Sequence, residues 1–188
     1  MSGVMGLDPS LTGFAACAAR SPDDFTTQRW TSHFLGHRID SRIDRMLPLV
    51  ELVMEFVDTH QPTVICIEGY SYASNGRGNN ERIEMGGILR ADLVAYGKAE
   101  LWEVAPMSLK KFCTGSGKGD KIGMVATMTK RWGVEFFDSD RYDAYGLARM
   151  ALCLAGMSQA ENDAQRQAIE SVRRGPKSSS KGGKSWSK

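Results

Sequence analysis

"VMGLDPSLTGFA", residues 4–15, runs from an apolar stretch into an aspartate, then a Pro-Ser-Leu-Thr-Gly turn and a second apolar stretch. A carboxylate at the end of a core strand is costly unless something cationic meets it. Asp8 is therefore a candidate for chemistry. The pattern returns at "TVICIEGY", residues 63–70, a β-branched run that stays apolar until Glu68, as a strand buried on both faces does.

The rest of the chain builds outward from these two runs. Residues 3–8, 13–20 and 26–34 read as three strands separated by Pro, Gly, Ser and Asp turn chemistry, which predicts an antiparallel meander. Between residues 42 and 60 apolar side chains fall at Ile43, Met46, Leu47, Val50, Met54 and Val57, the stripe of an amphipathic helix. A glycine-rich loop over 75–80 leads to a helix over 82–98, "LWEV" reads as the last strand, and helices follow Pro106. The fold class is therefore α/β, a mixed five-stranded sheet with three antiparallel strands and then parallel ones, flanked by helices. Sites in such sheets gather at strand ends, so Asp8 and Glu68 meet if their strands are neighbours.

A third acidic feature is "FFDSDRYDAYGLARMALCLA", residues 136–155, in which Ala144, Leu147, Ala148, Ala151, Leu152 and Ala155 form an apolar helical face. Asp140 and Asp143 share one side of the first turn, and Asp143 points toward the packed side. Helix capping by Asp138, Ser139 or Asp140 is the plain alternative. Acids at three separate places suit divalent cations of the Mg²⁺ type, which take hard oxygen ligands. His33, His37 and His60 lie outside these motifs and are assigned to structure or surface.

With 41% hydrophobic residues, 188 residues suffice for one sizeable domain. No apolar run approaches the roughly 20 residues that span a bilayer, and no signal-peptide pattern opens the chain, so the expected location is cytoplasmic, away from membranes. Cys17, Cys66, Cys113 and Cys153 lack metal-ligand spacing and are expected to be reduced core residues. Six of the 24 bases and no acid lie from Ser171 onward, leaving 18 bases against 22 acids elsewhere. That Gly/Ser/Lys-rich end is expected to be disordered, serving either as a sliding contact to phosphate or as a solubilising end.

Taken in order, "GLDPSLTGFA", "VICIEGY", "APMSLKKFCTGSGKGDK" and "DSDRYDAYGLARMAL" resemble the RuvC family of Holliday junction resolvases, nucleases of ribonuclease H-like fold, over residues 4–154. The resemblance implies a nuclease domain over 1–158, followed over 159–188 by a helical extension and basic tail. It matches Asp8, Glu68, Asp140 and Asp143 to the catalytic, metal-binding acids, with Asp8 as the bridging ligand. Lys110 and Lys121 fall where the family has lysines that support cleavage. Implied as well are Mg²⁺, with Mn²⁺ as the alternative, and a homodimer that nicks a four-way DNA junction symmetrically, leaving ends that ligase can seal. Whether a branch-migration motor acts with it is left open. Two such ions, about 4 Å apart, stabilise both the attacking and the leaving oxygens of an in-line displacement.

Other segments join this reading by composition. "TGSGKGDK" fails as a phosphate loop, because Phe112 stands where the first glycine belongs and Gly119 where Ser or Thr belongs. Gly115, Ser116, Gly117 and Lys118 are read instead as a DNA-facing loop, or else as a simple turn between helices, and Lys111 joins Lys118 as a DNA contact. In "GYSYASNGRGNNER", residues 69–82, Tyr70 and Tyr72 offer stacking surfaces and Arg77 and Arg82 offer phosphate contacts. The family's usual aromatic falls here on Ser71, and tyrosines packed at a strand end are the alternative. Met85 and Leu89 are candidates for an exposed dimer face. The competing functions are a sugar-kinase or actin-like ATPase, a DNA-binding module without catalysis, and a less selective nuclease acting on flaps and forks.

Overall fold

Alternation along β1 (Gly3–Asp8) divides the protein into two layers, because Val4 faces one hydrophobic cluster while Met5 and Leu7 face the other. A computed structural model describes residues 3–32, 38–70, 77–118 and 120–175, apart from the side chains of 77–79. All six residues of β1 are buried, the mark of a central strand. β2 (Phe14–Ala19) and β3 (Phe25–Trp30) continue the sheet antiparallel on one side, and β4 (Pro62–Glu68) and β5 (Glu100–Val104) extend it parallel on the other. The order is β3-β2-β1-β4-β5, the mixed sheet expected from the sequence.

The third strand ends at Trp30, earlier than expected. Ser32 donates both its backbone N–H and its hydroxyl to Leu11 O, at 3.1 and 2.8 Å, which draws the chain off the ladder. His33, Phe34 and His37 lie outside the described residues, whereas His60 packs on Phe56 with ring centroids 4.3 Å apart.

Helices α1 (Ile39–His60) and α2 (Arg77–Tyr96) cover the Met5 face. The buried side of α1 is Met46, Leu49, Val50, Val53 and Val57, so the expected stripe is corrected: Leu47 lies off this face and is 42% exposed. The second helix begins at Arg77, so the end of the expected glycine-rich loop is helical. Ion pairs from Arg42 to Glu84 and from Arg45 to Glu81 fasten its early turns to α1. Met85 and Leu89 are fully buried in this layer, which removes them as dimer-face candidates.

On the opposite face lie α3 (Pro106–Thr114), α4 (Lys121–Trp132), α5 (Ser139–Leu154) and α6 (Asp163–Arg174). Ala168, Ile169 and Val172 of α6 join the same cluster, so Ser171 to Arg174, expected within the disordered end, are helical. Residues 176–188 lie outside the described residues. Cys17, Cys66 and Cys113 are buried free thiols, and burial pushes the pKa of each upward. Among the described residues no helix is long and apolar enough to cross a membrane.

Candidate active site

Gly6 sets the distance between sheet and helix. A Cβ at this position would overlap the Ala144 carbonyl and the Ala148 amide of α5, so glycine lets the helix lie directly on β1. Small Ala15 and Cys17 on β2 and Ala144, Ala148 and Ala151 on α5 keep this contact close. Asp138 caps the helix by accepting from the Arg141 amide at 3.0 Å. The first turn therefore runs past the end of β1, carrying Asp143 to Asp8 with Asp140 beside Asp143.

The parallel register of β1 and β4 pairs Leu7 with Ile67 and so places Asp8 and Glu68 side by side at the two strand ends. Asp8 is only 7% exposed. Desolvation raises its pKa well above the ordinary carboxylate value, and repulsion from Glu68 and Asp143 adds to the shift. Glu68 is raised mainly by burial, against the opposing pull of Arg82. The two carboxyls are within hydrogen-bonding reach of each other, and any shared proton belongs to the pair. Burial also raises Asp143, with Lys121 pulling the other way.

Lys121 opens α4, a helix end that disfavours a positive charge, and its ammonium turns instead to the acids. Its Nζ stands 3.1 Å from Asp140 Oδ1 and 3.2 Å from Asp143 Oδ2. Burial alone lowers its pKa, but Asp143 and Asp140 together outweigh that and raise it. Lys110, on α3, lies close enough to Asp143 to favour its ionised form. Asp8, Glu68, Asp140, Asp143, Lys110 and Lys121 are thus brought into one neighbourhood from five different elements.

The other sequence candidates scatter. Arg82 lies 3.7 Å from Glu68 Oε2 and donates to Gly69 O at 3.3 Å, so it attends the acid itself. Tyr70 lies under Arg90, whose guanidinium carbon is 4.4 Å from the ring centroid, and its hydroxyl accepts from Arg90 Nη1 at 2.9 Å. That is the packed-tyrosine alternative. Lys111 donates to Gln167 Oε1 at 2.7 Å, toward α6, and Lys118 is exposed. Gly115 takes φ +87 as the C-cap of α3, so part of the glycine-rich segment is a turn between helices. Tyr72 and the side chain of Arg77 lie outside the described residues.

Sequence reasoning missed two arginines. Arg29 Nε on β3 donates to Asp140 Oδ2 at 3.0 Å, and Arg90 Nη2 donates to Glu68 O at 3.2 Å and to Glu103 Oε2 at 3.0 Å. No local signal marks either, since each meets its acid only through tertiary packing.

The donor set suits a hard divalent cation: carboxylates alone, two of them buried together and short of positive charge. Among the described residues no three of them form a closed ligand group, and Lys121 occupies the gap between Asp140 and Asp143.

Residues 4–134 match the family model described as "Crossover junction endodeoxyribonuclease RuvC". The chain belongs to the RuvC family. The RuvC match ends before Asp140 and Asp143, so the positions of that pair rest on the geometry of α5. Proteins named "Crossover junction endodeoxyribonuclease RuvC" extend the likeness further. The one from Saccharopolyspora erythraea is 29% identical over 176 residues, covering 90% of this chain and 86% of its own length. That of Mycolicibacterium smegmatis is 26% identical over 172 residues, covering 87% and 92%. Among solved structures, RuvC of T. thermophilus in complex with Holliday junction substrate aligns with a TM-score of 0.63 at 15% identity, covering 85% of this chain and 98% of that one. The yeast mitochondrial Holliday junction resolvase aligns with a TM-score of 0.53 at 15% identity, over 92% and 81%. At such identity these structures establish the shared fold.

Proposed function

We propose that this chain is a divalent-cation-dependent endonuclease that resolves four-way DNA junctions by paired, symmetric nicks. The observation that carries the proposal is the convergence of Asp8, Glu68, Asp140 and Asp143 from three separate elements on a site where burial outweighs the cations beside Asp8 and Glu68. A cluster of that kind works against a protein that only binds DNA, because uncompensated carboxylates repel phosphate. Membership of the RuvC family supports the same reading.

Asp8, Glu68, Asp140 and Asp143 would hold the cation, with Asp8 central because it faces both Glu68 and Asp143. When bound, Mg²⁺ or Mn²⁺ would supply water activation and charge stabilisation for in-line phosphodiester displacement. Arg82 and Arg90 fix the end of β4 through Gly69 O and Glu68 O, which orients the Glu68 carboxylate. Lys121 is half exposed and joined to the acids as a single charged group, so it is free to turn toward the phosphoryl oxygens that gain charge as the bond breaks. Lys118, exposed on the turn after α3, would meet backbone phosphate. Two nicks of like polarity require two active sites, which we assign to a homodimer.

The test is nicking of an immobile four-way junction beside a linear duplex of the same sequences, with Mg²⁺, with Mn²⁺ and with chelator. Paired, cation-dependent cuts confined to the junction are expected. Equal cutting of flaps and forks would make it a general branched-DNA nuclease, and tight binding with no cutting would leave a recognition protein.

A further inference from the structure

We propose that Arg29 is a positioning residue for Asp140: it occupies one carboxylate oxygen permanently and so presents the other alone to the incoming cation. The inference rests on the function proposed above and extends it to a residue of the sheet edge. Arg29 sits on β3 opposite Ala15. Its Nε donates to Asp140 Oδ2 at 3.0 Å and lies 3.7 Å from Asp138 Oδ1, the cap of α5, while Nη2 donates to Thr12 O at 3.1 Å. One guanidinium thus ties together the turn that follows Asp8, the cap of α5 and the Asp140 carboxylate.

The two oxygens of Asp140 are held by unlike cations. Oδ2 meets the planar fork of Arg29, whose side chain is 27% exposed and anchored at both ends of the fork. Oδ1 meets Lys121, 51% exposed, a point charge on a rotatable stem that is shared with Asp143. Asp140 Oδ1, shared with the rotatable Lys121, would be the oxygen open to a cation, and Arg29 would keep Oδ2. Asp140 is then a one-oxygen ligand whose direction is set from the sheet. Gly13 belongs to the same device, because a Cβ there would overlap both Asp140 Oδ2 and Arg29 Nη2. Gly13 has no left-handed φ that would itself demand glycine, so the space taken by the ion pair is what excludes a side chain.

The experiment uses the full chain and two variants, R29K and G13A. Mn²⁺ binding is followed without DNA by the loss of the free-ion paramagnetic resonance signal, and junction nicking is measured against Mg²⁺ concentration. R29K keeps the charge and loses the fork; G13A keeps the arginine and presses on both members of the pair, Asp140 Oδ2 and Arg29 Nη2. Both are expected to weaken Mn²⁺ binding and raise the Mg²⁺ half-saturation by about tenfold, as loss of an outer partner of a ligand does, while junction binding in chelator stays within twofold of wild type. If R29K fails to fold, R29Q takes its place, because G13A presses on Asp140 directly. Wild-type Mn²⁺ affinity in folded variants, or a lowered melting temperature with no change in half-saturation, would reduce Arg29 to a structural strap and overturn the inference. A wild-type chain that cuts junctions normally would leave the function standing in that event. A wild-type chain that binds no divalent cation would overturn both.

Discussion

The Lys121 ammonium lies 3.2 Å from Asp143 Oδ2 on a side chain 51% exposed, while Asp8, at the end of β1, is buried to 7% exposure. The cluster therefore has the Lys121 ammonium, shared between Asp140 and Asp143, at its edge and its most buried carboxylate, Asp8, at its centre. Replacing Lys121 with Met is expected to slow nicking by about 100-fold, the usual cost of losing one donor to developing charge. Cation-free stability should change by about 1 kcal/mol at most, because the ion pair is half exposed. Single-turnover nicking and thermal melts in chelator measure the two effects separately.

Asp8→Asn removes a buried charge and keeps its volume. Cleavage should be abolished and junction binding in chelator kept or strengthened. The variant should also be more stable than wild type without cations near neutral pH, because the raised pKa of Asp8 marks a charge that the folded state disfavours. Gel-shift titration beside the nicking assay reads both, and a joint loss of binding and cutting would assign Asp8 to folding.

Without cations, stability should fall as pH rises out of the acidic range. Asp8, Glu68 and Asp143 all have native pKa values raised, chiefly by burial, so the folded chain binds more protons than the unfolded one between the ordinary carboxylate range and those native values. The slope of unfolding free energy with pH is negative across that window. Lys121, raised by Asp143 and Asp140, contributes stability that is lost only as pH rises through its native value at the alkaline end. Denaturant midpoints at about pH 5 and about pH 8, in chelator and in Mg²⁺, test this. The Mg²⁺ increment should be larger at the higher pH, and an equal increment at both would contradict the assignment.

Gly6→Ala should destabilise the fold by about 3 kcal/mol, at the upper end for overpacking, because the new Cβ overlaps the backbone of α5. Nicking should fall even under conditions where the variant is fully folded, since Asp140 and Asp143 ride on the displaced helix. Circular dichroism with nicking at low temperature separates the two effects.

Truncation after Gly175 removes Lys177, Lys181, Lys184 and Lys188 and leaves α6 whole. Junction affinity should fall, and the slope of log affinity against log salt should flatten by about 3 if these lysines meet phosphate. An unchanged slope would assign the basic end to solubility.

The sequence by itself determined the strand-ending acids Asp8 and Glu68, the two layers of the sheet and the face of α5 that carries Asp140 and Asp143, because burial imposes periods of 2 and 3.6 that are written locally. Where an element's boundary depended on what it packs against, local signals fell short. The early start of α2, fastened to α1 by ion pairs, and the core positions of Met85 and Leu89 are such cases. Only the tertiary structure decided that Tyr70 lies under Arg90, that Arg82 attends Glu68, and that Arg29 reaches Asp140 across 111 positions of chain. The reason is physical: a buried carboxylate needs a cation nearby in space, and no rule of spacing along the chain says from which strand it will come.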